Sequence, residues 1–356
     1  MKIAQVAPLY ESVPPKTYGG TERIASYLTE ELVDQGHDVT LFASGDSVTA
    51  ARLVPCCPQA LRFDKQCIDS LAHHMVMLER VFREANHFDV MHFHCDYLHF
   101  PCSRCHKTPN VTTLHGRLDL PDLVPLYREF PEMPVVSISN DQRSPLPGLN
   151  WQGTVYHGLP RNLYSFHGGP GQYLAFLGRI CPEKGVDRAI EIAKESGLEL
   201  RIAAKVDRVD KEYFKNAIQP LLADPLIQFV GEINEQDKNT FLGGALALLA
   251  PVRWPEPFGL VLIEAMAAGT PIIAFEEGSI PELVENGRSG FVVKTTKQAV
   301  AAVQSIGRIR REECRRIFEE RFTASRMAQD YMRIYEGLIR AQSDPEAPAL
   351  RRPVAV

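Results

Sequence analysis

Two carboxylates spaced eight residues apart, Glu256 and Glu264, stand in the run Arg253-Trp-Pro-Glu-Pro-Phe-Gly-Leu-Val-Leu-Ile-Glu264-Ala-Met-Ala-Ala-Gly-Thr-Pro271. Pro255 and Pro257 bracket the first, and their fixed φ and missing N–H bar a helix there and stiffen the loop. The second is the sole charge on an apolar helix expected from about 259 to 268. A carboxylate on such a helix is costly to bury without donors. Sugar or ribose hydroxyls would supply them; a solvated glutamate after a proline-rich turn is the plain alternative.

Cations precede this window. A strand expected over 173–177 leads through Gly178 to Arg179, and Glu183-Lys184-Gly185 follows where a helix should begin. A guanidinium and an ammonium five residues apart at a helix N-terminus suit a diphosphate. Phe258-Gly259-Leu260 offers further backbone N–H groups at a second helix start, suited to the same anion. No Asp-x-Asp pair occurs in the chain, so a divalent metal lacks obvious carboxylate ligands. Charge neutralisation by Arg179, Lys184 and helix ends would stand in its place.

The N-terminal half contributes two more features. Gly19-Gly20 sits at a helix start after Pro14-Pro15-Lys16-Thr17-Tyr18, and paired glycines let backbone approach a phosphate or sugar. The long approach from the first strand does not fit a dinucleotide fingerprint. A flexible loop with Thr21 as helix cap is the alternative. His115 follows a strand expected over 110–114, so its imidazole should leave the sheet at the carboxyl edge.

The elements that must position these residues alternate, strand then helix. Strands are expected at 3–7, 38–43, 89–93, 110–114 and 135–138, with helices at 22–35 and 69–86. A Gly- and Pro-rich stretch from His157 to Gln172 marks the best domain boundary. Beyond it strands are expected at 173–177, 200–203, 227–230, 245–252 and 271–275, with helices at 186–196 and 211–222. A helical stretch from about 298 to 340 breaks near Phe322-Thr323, and the tail from Ser343 to Val356 reads as disordered. Short apolar strands alternating with helices imply parallel sheets covered on both faces, with ligands in a cleft at the carboxyl ends.

Length and charge agree with that picture. At 356 residues, 45% hydrophobic and 23% charged with a net charge of −5, the chain reads as a two-domain globular protein without the basic face a nucleic acid needs. The start Met-Lys-Ile-Ala-Gln-Val-Ala-Pro reads as a strand rather than a signal peptide, and no apolar run suits a bilayer, so a cytoplasmic location is expected. The basic residues of 62–83 are mixed with acidic ones, which argues for no stable membrane insertion and at most peripheral contact. Of eight cysteines, Cys56, Cys57, Cys67, Cys102 and Cys105 are expected in or near irregular stretches. Cys95, Cys102 and Cys105, close to His92, His94, His99 and His106, have metal-like spacing. A second ligand pair is missing, and reduced structural cysteines are the preferred reading.

Taken together, Gly19-Gly20, His115-Gly116, Gly178-Arg179, Glu183-Lys184-Gly185, Glu256-Pro-Phe-Gly-Leu-x3-Glu264, Ala268-Gly-Thr-Pro271 and Gly278-x2-Pro281-Glu282 resemble, in order, the retaining nucleotide-sugar glycosyltransferases of family 4. The resemblance implies the GT-B fold, an α/β class of two Rossmann-like doubly wound parallel-sheet domains facing across a cleft. An acceptor-side domain would span 1–165, completed by a C-terminal helix over 324–340, and a nucleotide-sugar domain would span 166–323. Arg179 and Lys184 would hold the diphosphate and Glu264 the ribose. Glu256 would bind hydroxyls of the transferred sugar, with amides of Phe258, Gly259 and Leu260 at sugar and phosphate. His115 would face the sugar near its reacting carbon. Gly19, Gly20 and Gly178 would bring backbone close to the donor.

The implied function is transfer of a hexose-type sugar from a UDP- or GDP-sugar to a hydroxyl acceptor, with retention, no metal and no cofactor. The acceptor would be a sugar, a lipid-linked molecule or a small molecule. Two departures stand out: Cys181 replaces a small hydroxyl residue, placing a thiol near the phosphates, and Tyr156-His157-Gly158 replaces a more usual His-Asn-Gly. The competing readings are a GT-B epimerase or phosphorylase and a nucleotide-sugar-binding protein without turnover.

Overall fold

The computed structural model describes residues 1–16 and 19–343 and divides them into two compact units. The expected tail lies outside the described residues apart from Ser343, which ends a helix. The described residues of the first unit are 1–16, 19–158 and 324–343; the second comprises 159–323. Residues 159–165, expected with the first domain, pack within the second unit. The Leu159 N–H donates to the Phe322 carbonyl (2.9 Å), and the Tyr164 hydroxyl donates to Glu235.

The first unit is a seven-stranded sheet in the order β3-β2-β1-β4-β5-β6-β7, every neighbour parallel. Its strands are β1 (Lys2–Val6), β2 (Asp38–Ser44), β3 (Arg52–Cys57), β4 (Val90–Phe93), β5 (Asn110–Thr113), β6 (Val135–Ser137) and β7 (Trp151–Thr154). β1 and β4 are buried almost throughout, as helix-covered parallel strands must be. Helix α1 (Gly20–Asp34) follows β1 and α2 (Ser70–Arg83) precedes β4. The Asp69 carboxylate caps α2 by accepting from the Leu71 and Ala72 N–H groups.

The second unit is a six-stranded parallel sheet, β10-β9-β8-β11-β12-β13. These are β8 (Tyr173–Arg179), β9 (Leu200–Lys205), β10 (Ile227–Gly231), β11 (Ala245–Ala250), β12 (Ile272–Phe275) and β13 (Gly290–Val293). Its longer helices are α3 (Val186–Ser196), α4 (Glu235–Gly243), α5 (Leu260–Ala268), α6 (Thr296–Ser305) and α7 (Arg311–Arg321). The last helix, α8 (Ala324–Ser343), belongs to the first unit, where its Ile334 packs beside Gly153 of β7.

Several expectations change. Strands β3, β7 and β13 are not expected from the sequence because they are short edge strands, where Pro55, Gly153 and Gly290 are tolerated. Cys56 and Cys57 therefore lie buried in a strand rather than in irregular chain. The helix expected over 211–222 is a single α-turn, Lys211–Tyr213, continued by a π-turn and a 3-10 turn, because Pro220 cannot sustain a regular ladder. The C-terminal helical stretch breaks twice, around Gly307 as well as at Phe322-Thr323.

Candidate active site

In the second unit the order reverses between β8 and β11, and the loops leaving the carboxyl ends of such neighbours form the ligand crevice of an open α/β sheet. Three loops meet on this edge, after β8, β11 and β12. Arg179 is the last residue of β8, so the strand aims it directly at that edge. A 3-10 turn, Pro182–Lys184, then ends at Gly185 with φ of 68°, and only there does α3 begin. A Cβ on Gly185 would lie 2.2 Å from the Pro251 carbonyl oxygen, so glycine lets the β8 and β11 loops touch. The Arg253 N–H donates to the Glu183 carbonyl (2.8 Å), and the Arg253 guanidinium grips Asp187 through two bonds of 2.8 and 2.7 Å.

This seam brings Lys184 against Glu256. The ammonium donates to the Glu256 carboxylate, which also accepts from the Trp254 indole N–H at 3.0 Å. The same ammonium lies 5.3 Å from the Trp254 ring centre, a cation–π contact. The β12 loop closes the other side. The Ser279 N–H donates to the Glu256 carbonyl (2.9 Å) and its hydroxyl to the Phe258 carbonyl (2.8 Å). Gly278, at φ of 57°, packs so closely that a Cβ would sit 2.4 Å from the Glu256 nitrogen. Glu256 is thus held at its backbone by one loop and at its side chain by another.

Helix α5 begins behind left-handed Gly259, at φ of 84°, with no side-chain cap on its first N–H groups. It starts at Leu260, and Glu264 on it is buried at 4% exposure. The partner that makes this burial tolerable is not legible in the sequence. Lys238 of α4 donates to Glu264 at 3.0 Å and to Glu235 at 3.3 Å. Its sole sequence signal is a lysine on a helix whose other residues are mostly polar. Arg179 lies 3.9 Å from Asp207 and 3.5 Å from Asp210. Burial raises the Cys181 thiol above its ordinary value, which favours the protonated form.

In the first unit the carboxyl edge carries Gly19-Gly20 and His115. Gly19 precedes α1, which starts at Gly20, so Thr21 lies inside the first turn rather than capping it. A Cβ at Gly19 would meet the Pro15 side chain at 2.8 Å. His115 follows β5; its Nε2 lies 2.9 Å from Nδ1 of His94, and its ring stacks on His157 at 5.3 Å. Burial holds His115 neutral, its pKa lowered to about 3.

Cys95 is buried and Cys105 exposed, and all eight cysteines are free thiols. Among the described residues no three His, Cys, Asp or Glu side chains are grouped as metal ligands. No described helix is long and apolar enough to cross a membrane.

The chain is similar to known proteins in sequence and fold. The family model described as Glycosyltransferase Family 4 matches residues 18–151, and that described as Glycosyl transferases group 1 matches residues 166–323. The chain is 25% identical to the glycogen synthase of Mycobacterium tuberculosis over 98% of each chain. Among solved structures it is similar to AviGT4, a glycosyltransferase involved in avilamycin A biosynthesis (TM-score 0.74, 22% identity, 96% of this chain and 98% of that one). It is likewise similar to HepE of Anabaena in complex with UDP and glucose (TM-score 0.72, 17% identity, 95% of this chain and 100% of that one).

Proposed function

Because the chain belongs to the family 4 glycosyltransferases of GT-B type, we propose that it moves a hexose-type sugar from a UDP- or GDP-sugar to a hydroxyl acceptor with retention of anomeric configuration. The observation that carries this reading is the Lys184–Glu256 contact at the switch point of the second sheet. A phosphate-binding cation and a hydroxyl-binding carboxylate are held side by side, and each occupies the other until a donor offers both ends at once. The relatives that bind UDP or carry sugar-transfer names support the donor class.

In this reading Arg179 and Lys184 take the diphosphate, assisted by the Phe258, Gly259 and Leu260 amides at the start of α5. Glu264 accepts from the ribose hydroxyls and Glu256 from those of the sugar. Gly178, Gly19 and Gly20 let backbone approach, and His115 contacts the sugar. The bond from the anomeric carbon to the phosphate oxygen breaks as the acceptor oxygen bonds on the same face. The acceptor's proton passes to a departing phosphate oxygen, which makes a separate general base unnecessary. The protein's contribution is electrostatic: fixed positive charge where the leaving group gains negative charge. That charge serves where other transferases use a metal ion, so no metal or cofactor enters the scheme.

The acceptor is a sugar, a lipid-linked molecule or a small molecule, and the setting is cytoplasmic. Helix α2 exposes Leu71, Met75 and Val76, which favours peripheral contact with a lipid surface. A thermal-shift screen of UDP- and GDP-sugars tests the donor: at a hundredfold excess over Kd, binding stabilises by about 2.7 kcal/mol. Transfer from the best donor, with and without anionic vesicles, then gives the product anomer by NMR. Retained configuration is expected; an inverted product sinks the proposed route, and a screen without any stabilising donor sinks the function.

A further inference from the structure

Several buried side chains of the first unit form one hydrogen-bonded chain. Gln5 of β1 pairs in register with His92 of β4. Its carbonyl oxygen lies 2.8 Å from Nε2 of His94, and its amide nitrogen lies 3.2 Å from the Tyr335 hydroxyl on α8. The Tyr335 hydroxyl lies 2.6 Å from Nδ1 of His92, whose Nε2 is 2.7 Å from the Thr113 hydroxyl. Thr113 in turn meets the Tyr331 hydroxyl at 2.7 Å.

The lengths agree with one direction of proton donation along this chain. A phenol donating to a carbonyl normally closes to about 2.7–2.8 Å, whereas amide donors reach about 3.2 Å. The long Gln5–Tyr335 contact is therefore amide to phenol, and the short Tyr335–His92 contact is phenol to imidazole. A carbonyl oxygen only accepts, so His94 carries its proton on Nε2. Burial and the neighbouring His92 hold His94 neutral, leaving its Nδ1 a bare acceptor. The remaining neighbour of that nitrogen is Nε2 of His115, which must donate to it.

We propose that Gln5 and His94 are positioning residues that lock His115 in its Nε2–H form and leave its Nδ1 as a bare acceptor for the donor sugar. Nδ1 of His115 is buried and makes no hydrogen bond to the described residues, a costly state that a ligand hydroxyl relieves. The polarity selects chemistry: the sugar group at this nitrogen must be a hydrogen-bond donor, and a carboxylate in its place, as on a uronic acid, would face a lone pair. The lock is a property of the free protein. The glycosyltransferase reading is needed only to say what meets Nδ1.

Two-bond 1H–15N correlation spectra of the full-length protein labelled with 15N-histidine test the lock, with His115→Gln identifying the signals. Neutral Nε2–H rings at both His94 and His115 are expected; an Nδ1–H or charged His115 overturns the proposal, and the wild-type spectrum alone is enough to show either. In Gln5→Leu the His115 signal should become a mixture of tautomers and kcat should fall roughly tenfold or more, the scale of one mis-set hydrogen bond. An unaltered His115 tautomer in Gln5→Leu would remove Gln5 from the relay. Should the wild type turn over no nucleotide sugar while showing the expected tautomer, the transferase reading fails and the lock stands; transfer by a protein with Nδ1–H His115 gives the reverse.

Discussion

Glu264 sits on a helix with no other charge, and Lys238 is what allows it to be 4% exposed there. Removing one partner of a buried ion pair leaves the other charge uncompensated, which costs about 3–5 kcal/mol. The Lys238 side chain keeps 17% of its exposure, so the lower end applies. Lys238→Met should lower stability by roughly 3 kcal/mol in urea unfolding, and Lys238→Met/Glu264→Leu should recover most of that loss. A single variant as stable as wild type would show that Glu264 is solvated after all. The sequence exposed Glu264 as an anomaly because charge stands out against an apolar helix. It could not expose Lys238, which lies on another helix and is one polar residue among many.

At the level of elements, the site is a meeting of three loops, and glycines set how closely they approach. Gly278 matters most, because it lies against the backbone of Glu256 in a left-handed conformation. An alanine there costs about 1–2 kcal/mol in the backbone alone and forces the β12 loop away from the β11 loop. Gly278→Ala should therefore lose most transfer activity while the thermal midpoint falls by only a few degrees. Activity close to wild type would mean that the β12 loop does not hold Glu256. The positions of strands and helices around these loops were legible from apolar runs and glycine or proline punctuation. The edge strands were not, since four to six residues with a proline or glycine carry too little pattern to separate strand from loop.

On the scale of the whole molecule, the first unit encloses a group of histidine rings. Burial lowers the pKa of His92, His94, His99, His115 and His157, with His99 and His115 brought to about 3. The unfolded chain keeps its histidines near pH 6.5. Between about pH 6.5 and 3 the unfolded state therefore binds more protons than the native one, so stability is complete above pH 6.5 and declines as pH falls through that window. Thermal midpoints should be flat above that pH and drop below it, and His99→Gln should flatten the acid limb. A midpoint unchanged down to pH 4.5 would show these rings charged or solvated in the folded protein. Local chemistry written along the chain was enough to determine the alternating fold, the paired glutamates and the cations ahead of them, because period, punctuation and charge are properties of neighbouring residues. Only tertiary structure decided which groups face each other: Lys184 with Glu256, Lys238 with Glu264, Gln5 with Tyr335 of the last helix. Those partners lie from 26 to 330 residues apart, and parallel sheets bring them together through crossovers whose register no local pattern encodes.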